Sequence, residues 1–519
     1  MEPVTATLLI LVLAVIAFVS NRVPIGVVAI GVALALFFTG VLTLPEALAG
    51  FGDPTVLFIA GLFVMSEALD ATGFTAWAGQ MVIGRAGTKR RTLVVVISLL
   101  VAALTALISI NGAVAALLPL VVVVAARAGI ASSKLLMPLA FAASAGSLLL
   151  LTGTPVNILV SEFAVNAGGR AFGFFEFALV GVPVLLGTVA ILLVGGRLLP
   201  ERTGALMPLD LVRHARLLRQ QYSLTLDTGV LIGPDTGVTE VVVAPRSPLI
   251  GKRLCVGMTT PAGDLVVLAA RRGEEHLKDA EFVVQAGDAL LLQGAWDDLS
   301  RKVSGSSVLA VDDPAQLRRS IPLGKGAKRA IGILVAMVLL LATGLVPPAV
   351  AALLAACALV LTRTVTVTQA YRAISWTTVV LIAGMIPLST AFISTGTADL
   401  VAGWMLSLLG DASPHLALLA LGILTVVLGQ LISNVATVLI VAPIAISVAQ
   451  SLDLSVQPFM MALTVAGAAA FLTPIATPAN LMVMEPAGYR FGDYWKLGLP
   501  LVLLFLAVSV FYVPLVWPF

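Results

Sequence analysis

Outside one stretch, the chain has almost no charge. Residues 197–328 hold 17 of the 30 Lys and Arg and 15 of the 27 Asp and Glu, leaving 13 and 12 for the other 387 residues. Over all 519 residues only 11% are charged, and the mean hydropathy is +1.08. A soluble globular domain carries about 25% charged residues. Apolar surface on this scale needs lipid as its solvent, and a bilayer demands that backbone groups be satisfied within helices. The expectation is a polytopic all-α membrane protein with a small soluble insert. A cytosolic enzyme and a disordered chain are excluded, and a net charge of +3 argues against nucleic-acid binding. Cys255 and Cys357 make no disulfide framework, and the three His have no metal spacing. The N-terminus lacks a basic n-region, so residues 4–20 read as a retained first helix.

The chain also matches itself at an offset of about 323 residues. FIAGLFVMSEALDATGFT, from Phe58, aligns with LIAGMIPLSTAFISTGTA, from Leu381, pairing Gly61 with Gly384. TGTPVNILVSE aligns with IATPANLMVME, pairing Thr154, Pro155, Asn157 and Glu162 with Thr477, Pro478, Asn480 and Glu485. Asn111 pairs with Asn434 at the same offset. Leu/Val/Ala-rich stretches resemble one another by chance, but polar, Gly and Pro identities held at one offset do not. Apolar segments then fall at 4–20, 24–42, 54–72, 92–126, 134–166 and 174–196, and at 330–345, 347–363, 376–394, 415–450, 458–486 and 495–517.

The stretches 92–126 and 415–450 are far longer than the roughly 20 residues of one span. Arg85, Lys89, Arg90 and Arg91 precede the first, and Arg127 and Lys134 follow it. Both of its ends are therefore expected on the cytoplasmic side, whereas the flanks of the second stretch have no Lys or Arg. That contrast is the mark of an inverted-topology repeat. Each half is read as about five spans plus one re-entrant hairpin. Membrane repeats at 1–196 and 329–519 then flank a cytoplasmic insert at 197–328, with both termini outside the cell (inner) membrane.

Four polar breaks interrupt the apolar segments: Ser109 to Ala113, Thr152 to Asn157, Ser433 to Thr437 and Thr473 to Asn480. Broken backbone survives at membrane depth only where it lines a cavity or is buried in protein. Pro155 and Pro478 each remove a donor. Freed carbonyls suit a cation and freed N–H groups an anion. Packing kinks explain any one break more simply. Four at matched positions point to a transporter's midplane site.

The tip SNVATVLIVAP and the unwound ATPAN resemble the divalent anion/sodium symporter (DASS) family of the ion-transporter superfamily, across both membrane halves. That family carries Ser-Asn-Thr at each hairpin tip. Here the tips read Ser433-Asn434-Val435 and Ile110-Asn111-Gly112, so one Ser and both Thr are replaced. The resemblance implies two sodium sites at Asn111 and Asn434, completed by the carbonyls of Ile110, Gly153, Ile432 and Ala476. It places the anion among Asn111, Gly112, Thr154, Pro155, Ser433, Asn434, Val435, Thr477 and Pro478, without Lys or Arg. It also implies a homodimer.

Within the insert, VVVA, LVVLAA and ALLLQG read as strands, flanked by helices in LDLVRHARLLRQQ and WDDLSRKV. Residues 222–303 resemble a TrkA C-terminal (RCK C-terminal) domain, through Ser247-Pro248-Leu249-Ile250-Gly251-Lys252, Arg271-Arg272-Gly273 and Ala286-Gly287-Asp288. That implies a pairing module that takes a small regulatory ligand. No GxGxxG follows a strand, so NAD is not expected, and no catalytic constellation appears. The chain is read as a sodium-coupled divalent-anion (dicarboxylate or sulfate-like) secondary transporter. Three rivals stand beside it: a cation/proton antiporter using the intramembrane Glu67, an RCK-regulated ion channel, and a membrane sensor.

Overall fold

The computed structural model describes residues 2–20, 22–83, 86–203, 236–259, 264–273, 275–277, 281–303, 307–311, 326–409 and 413–519. The helix expected over 209–221, Arg85 and the start of the RCK-like segment lie outside the described residues. Two compact units form: residues 1–68, 82–206 and 329–519, and residues 69–81 and 207–328.

In the first unit, helices α1 (Pro3–Ser20), α2 (Ile25–Phe38), α3 (Leu44–Leu48) and most of α4 (Pro54–Ala71) come first. After α5 (Phe74–Ile83), the first long apolar stretch forms two helices, α6 (Arg90–Leu107) and α7 (Ile110–Arg127). The 134–166 segment is likewise split, into α8 (Ser133–Gly146) and α9 (Pro155–Asn166), and α10 (Ala178–Val194) closes the half. After the insert the order recurs: α12 (Ala327–Thr343), α13 (Pro348–Leu361), α14 (Val367–Ala373), α15 (Trp376–Ser394), α16 (Thr397–Leu409), α17 (Pro414–Gly429), α18 (Asn434–Ser451), α19 (Val456–Gly467), α20 (Pro478–Ala487) and α21 (Tyr494–Ala507). Among the described residues, eight helical segments are long and apolar enough to cross a membrane. The chain is a multi-pass helical membrane protein.

Matched positions do matched work in the two halves. The short helices α3 and α14 both start on a capping box, Thr43 with Glu46 and Thr366 with Gln369. Gly61 on α4 lies against Ala352 of α13, and its partner Gly384 on α15 lies against Ala29 of α2. A Cβ on either Gly would come within 3.0 Å of those alanines, so each crossing needs the missing side chain. The early helices thus pack across the repeats. The later ones do the same: α20 packs on α8 and α7, and α9 on α19 and α18.

In the second unit, a five-stranded antiparallel sheet has the order β4-β3-β6-β1-β7, from β1 (Thr236–Val243), β3 (Leu265–Arg272), β4 (Glu275–His276), β6 (Ala289–Ala295) and β7 (Val308–Ala310). A separate pair joins β2 (Arg253–Leu254) to β5 (Phe282–Val283). The helix α11 (Trp296–Val303) covers a core of Val241, Val267, Leu290 and Leu299. The three expected strands are β1, β3 and β6.

Asp288, fully buried, accepts from Arg272 Nε at 2.7 Å and Nη2 at 2.8 Å and from the Gln285 N–H at 2.8 Å. Burial pushes its carboxyl up, but the Arg272 and Gln285 hydrogen bonds and the Arg272 charge outweigh that and hold it below the usual 3.8. A depressed carboxyl adds stability above its unfolded pKa and loses it as pH falls through the folded value. Arg272→Ala is therefore expected to weaken hydrogen-exchange protection of β6 at neutral pH. The gap from the parent should narrow as pH falls below the ordinary carboxylate range and Asp288 takes up a proton.

Candidate functional site

Each of the four breaks ends on a hydroxyl that caps the next helix. Ser109 Oγ accepts from Gly112 N at the start of α7, and Ser433 Oγ from Ala436 N at the start of α18. Thr154 Oγ1 accepts from Val156 N at α9, and Thr477 Oγ1 from Asn480 N at α20. Each satisfies an orphan N–H of a first turn.

The caps reset the register at the tips. The alignment pairs Asn111 with Asn434, but the caps pair Ser109 with Ser433. Asn434 is then the first residue of α18, and its counterpart at the start of α7 is Ile110. Asn111 falls one residue later, about 100° around the helix, and is exposed.

A small recess opens where the breaks meet. Ile110, Thr154 with Val156, and Asn434 bring the N-terminal ends of α7, α9 and α18 to it. Ser144 and Ser147 from the end of α8, and Thr464, Gly467 and Ala468 from the end of α19, form the rest of the wall. No ionisable side chain lines it. Three helix N-termini bring partial positive charge to one small space, which suits an anion.

The anchoring of the unwound segments is the same in both halves. Asn157, fully buried, donates through Nδ2 to Ser147 O at 2.9 Å and Leu150 O at 2.8 Å. Asn480, also fully buried, donates to Ala470 O at 2.8 Å and Thr473 O at 3.2 Å. Their acceptor carbonyls lie ten and seven residues back in each case. Gly153 and Ala476 each end a short 3-10 turn in these segments. Gln430 adds a tie in the second half only, donating to Ala469 O and accepting from Leu472 N.

Several buried oxygens have no hydrogen-bond partner: Asn157 Oδ1, Asn434 Oδ1, Thr437 Oγ1, Thr473 Oγ1 and Asn480 Oδ1. Buried polar atoms are normally paired. Oxygen acceptors left bare are what a hard cation binds. Asn434 Oδ1 and Thr437 Oγ1 both face Gly429, the last residue of α17, lying 4.0 Å from a Cβ built there. A helix C-terminus carries partial negative charge, which favours a cation at this point.

Of the residues expected from sequence, the structure brings Ile110, Thr154 and Asn434 to the recess, with Ser433, Pro155, Thr477 and Pro478 at the adjoining helix starts. Gly112 and Val435 lie in the first turns of α7 and α18. Ile432 is buried just before the second tip. Glu67 is half-buried on α4 and engaged by a neighbour. Glu162 accepts a hydrogen bond from Thr55 Oγ1, whereas its repeat partner Glu485 is exposed. The difference follows from the chain: Thr378, matching Thr55, bonds Ser375 instead. Ser144, Ser147 and Thr464 were not legible as site residues, because single hydroxyls inside apolar helices carry no signal until the helices are packed.

The chain matches the family model CitMHS, described as citrate transporter, over residues 15–466 and 409–519. It is 30% identical to the uncharacterized transporter YfbS of Escherichia coli K12, with 98% of each chain covered. It is 29% identical to the probable sodium/sulfate cotransporter 3 of Chlamydomonas reinhardtii, over 53% of this chain and 31% of that one. Among solved structures, that of the Alcanivorax borkumensis YdaH transporter shares the fold, with a TM-score of 0.51 at 14% identity over 100% of this chain and 99% of that one.

Proposed function

Since the chain belongs to the CitMHS family of citrate transporters and is a secondary transporter, we propose that it takes up a divalent anion, a dicarboxylate or a sulfate-like oxyanion, coupled to sodium. The observation that carries this reading is the meeting of three helix N-termini at a recess without Lys or Arg. A dianion there has only partial charges and neutral donors to hold it. A co-bound cation supplies the missing charge, and the bare oxygens of Asn434 and Thr437 are a place to hold one. Relatives named sodium/sulfate cotransporters support the pairing of the two ions.

In this reading α6–α7 and α17–α18 are re-entrant hairpins of two inverted repeats. Alternating access comes from moving the group that carries the recess, α6–α10 and α17–α21, against the early helices. The protein is placed in the cell membrane as a DASS-like homodimer, its termini outside and residues 197–328 in the cytoplasm. The insert's 222–303 segment serves as an RCK C-terminal-like module for a small regulatory ligand.

Thermal-shift titration of the purified protein tests the reading. Sulfate or a dicarboxylate should raise Tm in sodium and leave it unchanged in choline. Equal shifts in both salts would remove the sodium coupling, and no shift with any dianion would remove the anion.

A further inference from the structure

We infer that the site is lopsided, with a single cation pole built by the second repeat and a hydroxyl pole built mainly by the first, so that one sodium ion accompanies each anion. This rests on the sodium-coupled reading above and narrows it.

The second repeat leaves four buried oxygens without partners: Asn434 Oδ1, Thr437 Oγ1, Thr473 Oγ1 and Asn480 Oδ1. The first repeat lacks three of their counterparts. By the register of the caps, Ile110 stands for Asn434 and Ala113 for Thr437, and Leu150 stands for Thr473 at the repeat offset. Only Asn157 is kept, matching Asn480. Ile110 stands on the recess wall as Asn434 does, but its hydrocarbon side chain has no oxygen to offer. A hard cation takes oxygen ligands, so the first tip offers it no side-chain ligand at the equivalent position. The exposed Asn111 does not replace one, because it is turned about 100° from that position.

Hydroxyls show the opposite bias. Ser144 and Ser147, on the recess wall, correspond to Gly467 and Ala470 in the second repeat. Thr464 is the second repeat's one hydroxyl on the wall, opposite Phe141 in the first. Ser144 Oγ donates to Ala140 O at 3.5 Å, a long bond that an anion can readily replace. Ser147 Oγ already donates to Ser144 O at 2.8 Å, and Thr464 Oγ1 to Met460 O at 3.0 Å, so Ser144 on α8 is the wall hydroxyl that stands in for those missing from the hairpin tips. With one sodium, a dianion crosses with one negative charge uncompensated.

Sodium alone is the probe. Tm of the full chain is followed as sodium chloride replaces choline chloride, with no anionic substrate present. The parent should saturate with a Hill coefficient near one. Asn434→Ala and Thr437→Val should each raise the half-maximal sodium concentration about tenfold or more, the loss of one charge-assisted ligand. Both should keep the parent's Tm in choline, which separates lost binding from lost folding. Asn111→Ala should stay within about twofold of the parent. A Hill coefficient near two, or loss of sodium response in Asn111→Ala comparable to that in Asn434→Ala, would overturn the single-pole inference and leave sodium coupling intact. A parent that does not respond to sodium at all would instead overturn the coupling on which the inference rests.

Discussion

Asn157→Ala and Asn480→Ala should each destabilise the protein by about 2–4 kcal/mol, and by similar amounts. Either change removes two donations to carbonyls of an unwound segment. A buried acceptor left without a donor costs about 1–3 kcal/mol. Leu150 O keeps the Gly153 N–H at 3.1 Å, so one of the first pair is softened. Losing the bare Oδ1 of each Asn removes a penalty already present in the parent, which trims the cost without cancelling it. Asn→Asp should be worse than Asn→Ala at both positions, because it also loses the donors and adds a buried charge. Denaturation in detergent, followed by tryptophan fluorescence, gives the comparison. A large loss at one position and none at the other would contradict the matched anchoring of the two segments.

Gly181→Ala and Gly498→Ala should disrupt the same segments from outside. Gly181 on α10 lies against Leu148, and a Cβ there would sit 2.3 Å from its carbonyl oxygen. Gly498 on α21 has the same relation to Phe471, also at 2.3 Å. Leu148 and Phe471 are repeat partners. Replacing Gly by Ala inside a helix normally stabilises by about 1 kcal/mol. Here the obstacle is backbone, which cannot swing away, and overpacking costs about 1–3 kcal/mol or more. The steric cost should win and lower Tm in both, and Gly181→Ala should also weaken anion binding because the segment it presses on carries Ser147 to the recess. A stabilised Gly498→Ala would mean that α21 does not approach the loop this closely.

The membrane part was legible because its signals are coarse and repeated. Scarce charge, the two Pro breaks and the insert's strand runs each follow from local chemistry. The short helices α3 and α14 were also within reach, since Thr43 with Glu46 and Thr366 with Gln369 spell capping boxes. The one-residue register difference at the tips was not. Asn111 and Asn434 align as letters, and only the capping bonds of Ser109 and Ser433 show that Ile110 occupies the equivalent place. The hydroxyl wall was hidden for a different reason. Ser144 and Thr464 each sit within an apolar helix, and what they face is decided by how α8 and α19 pack around the breaks.

Whether an anion moves only with sodium is decided in vesicles containing the purified protein. An inward sodium gradient should drive labelled sulfate or dicarboxylate above its equilibrium level, and replacing sodium by choline should abolish the accumulation. Accumulation that persists in choline, or is driven equally well by a proton gradient without sodium, would mean that sodium is not the coupling ion.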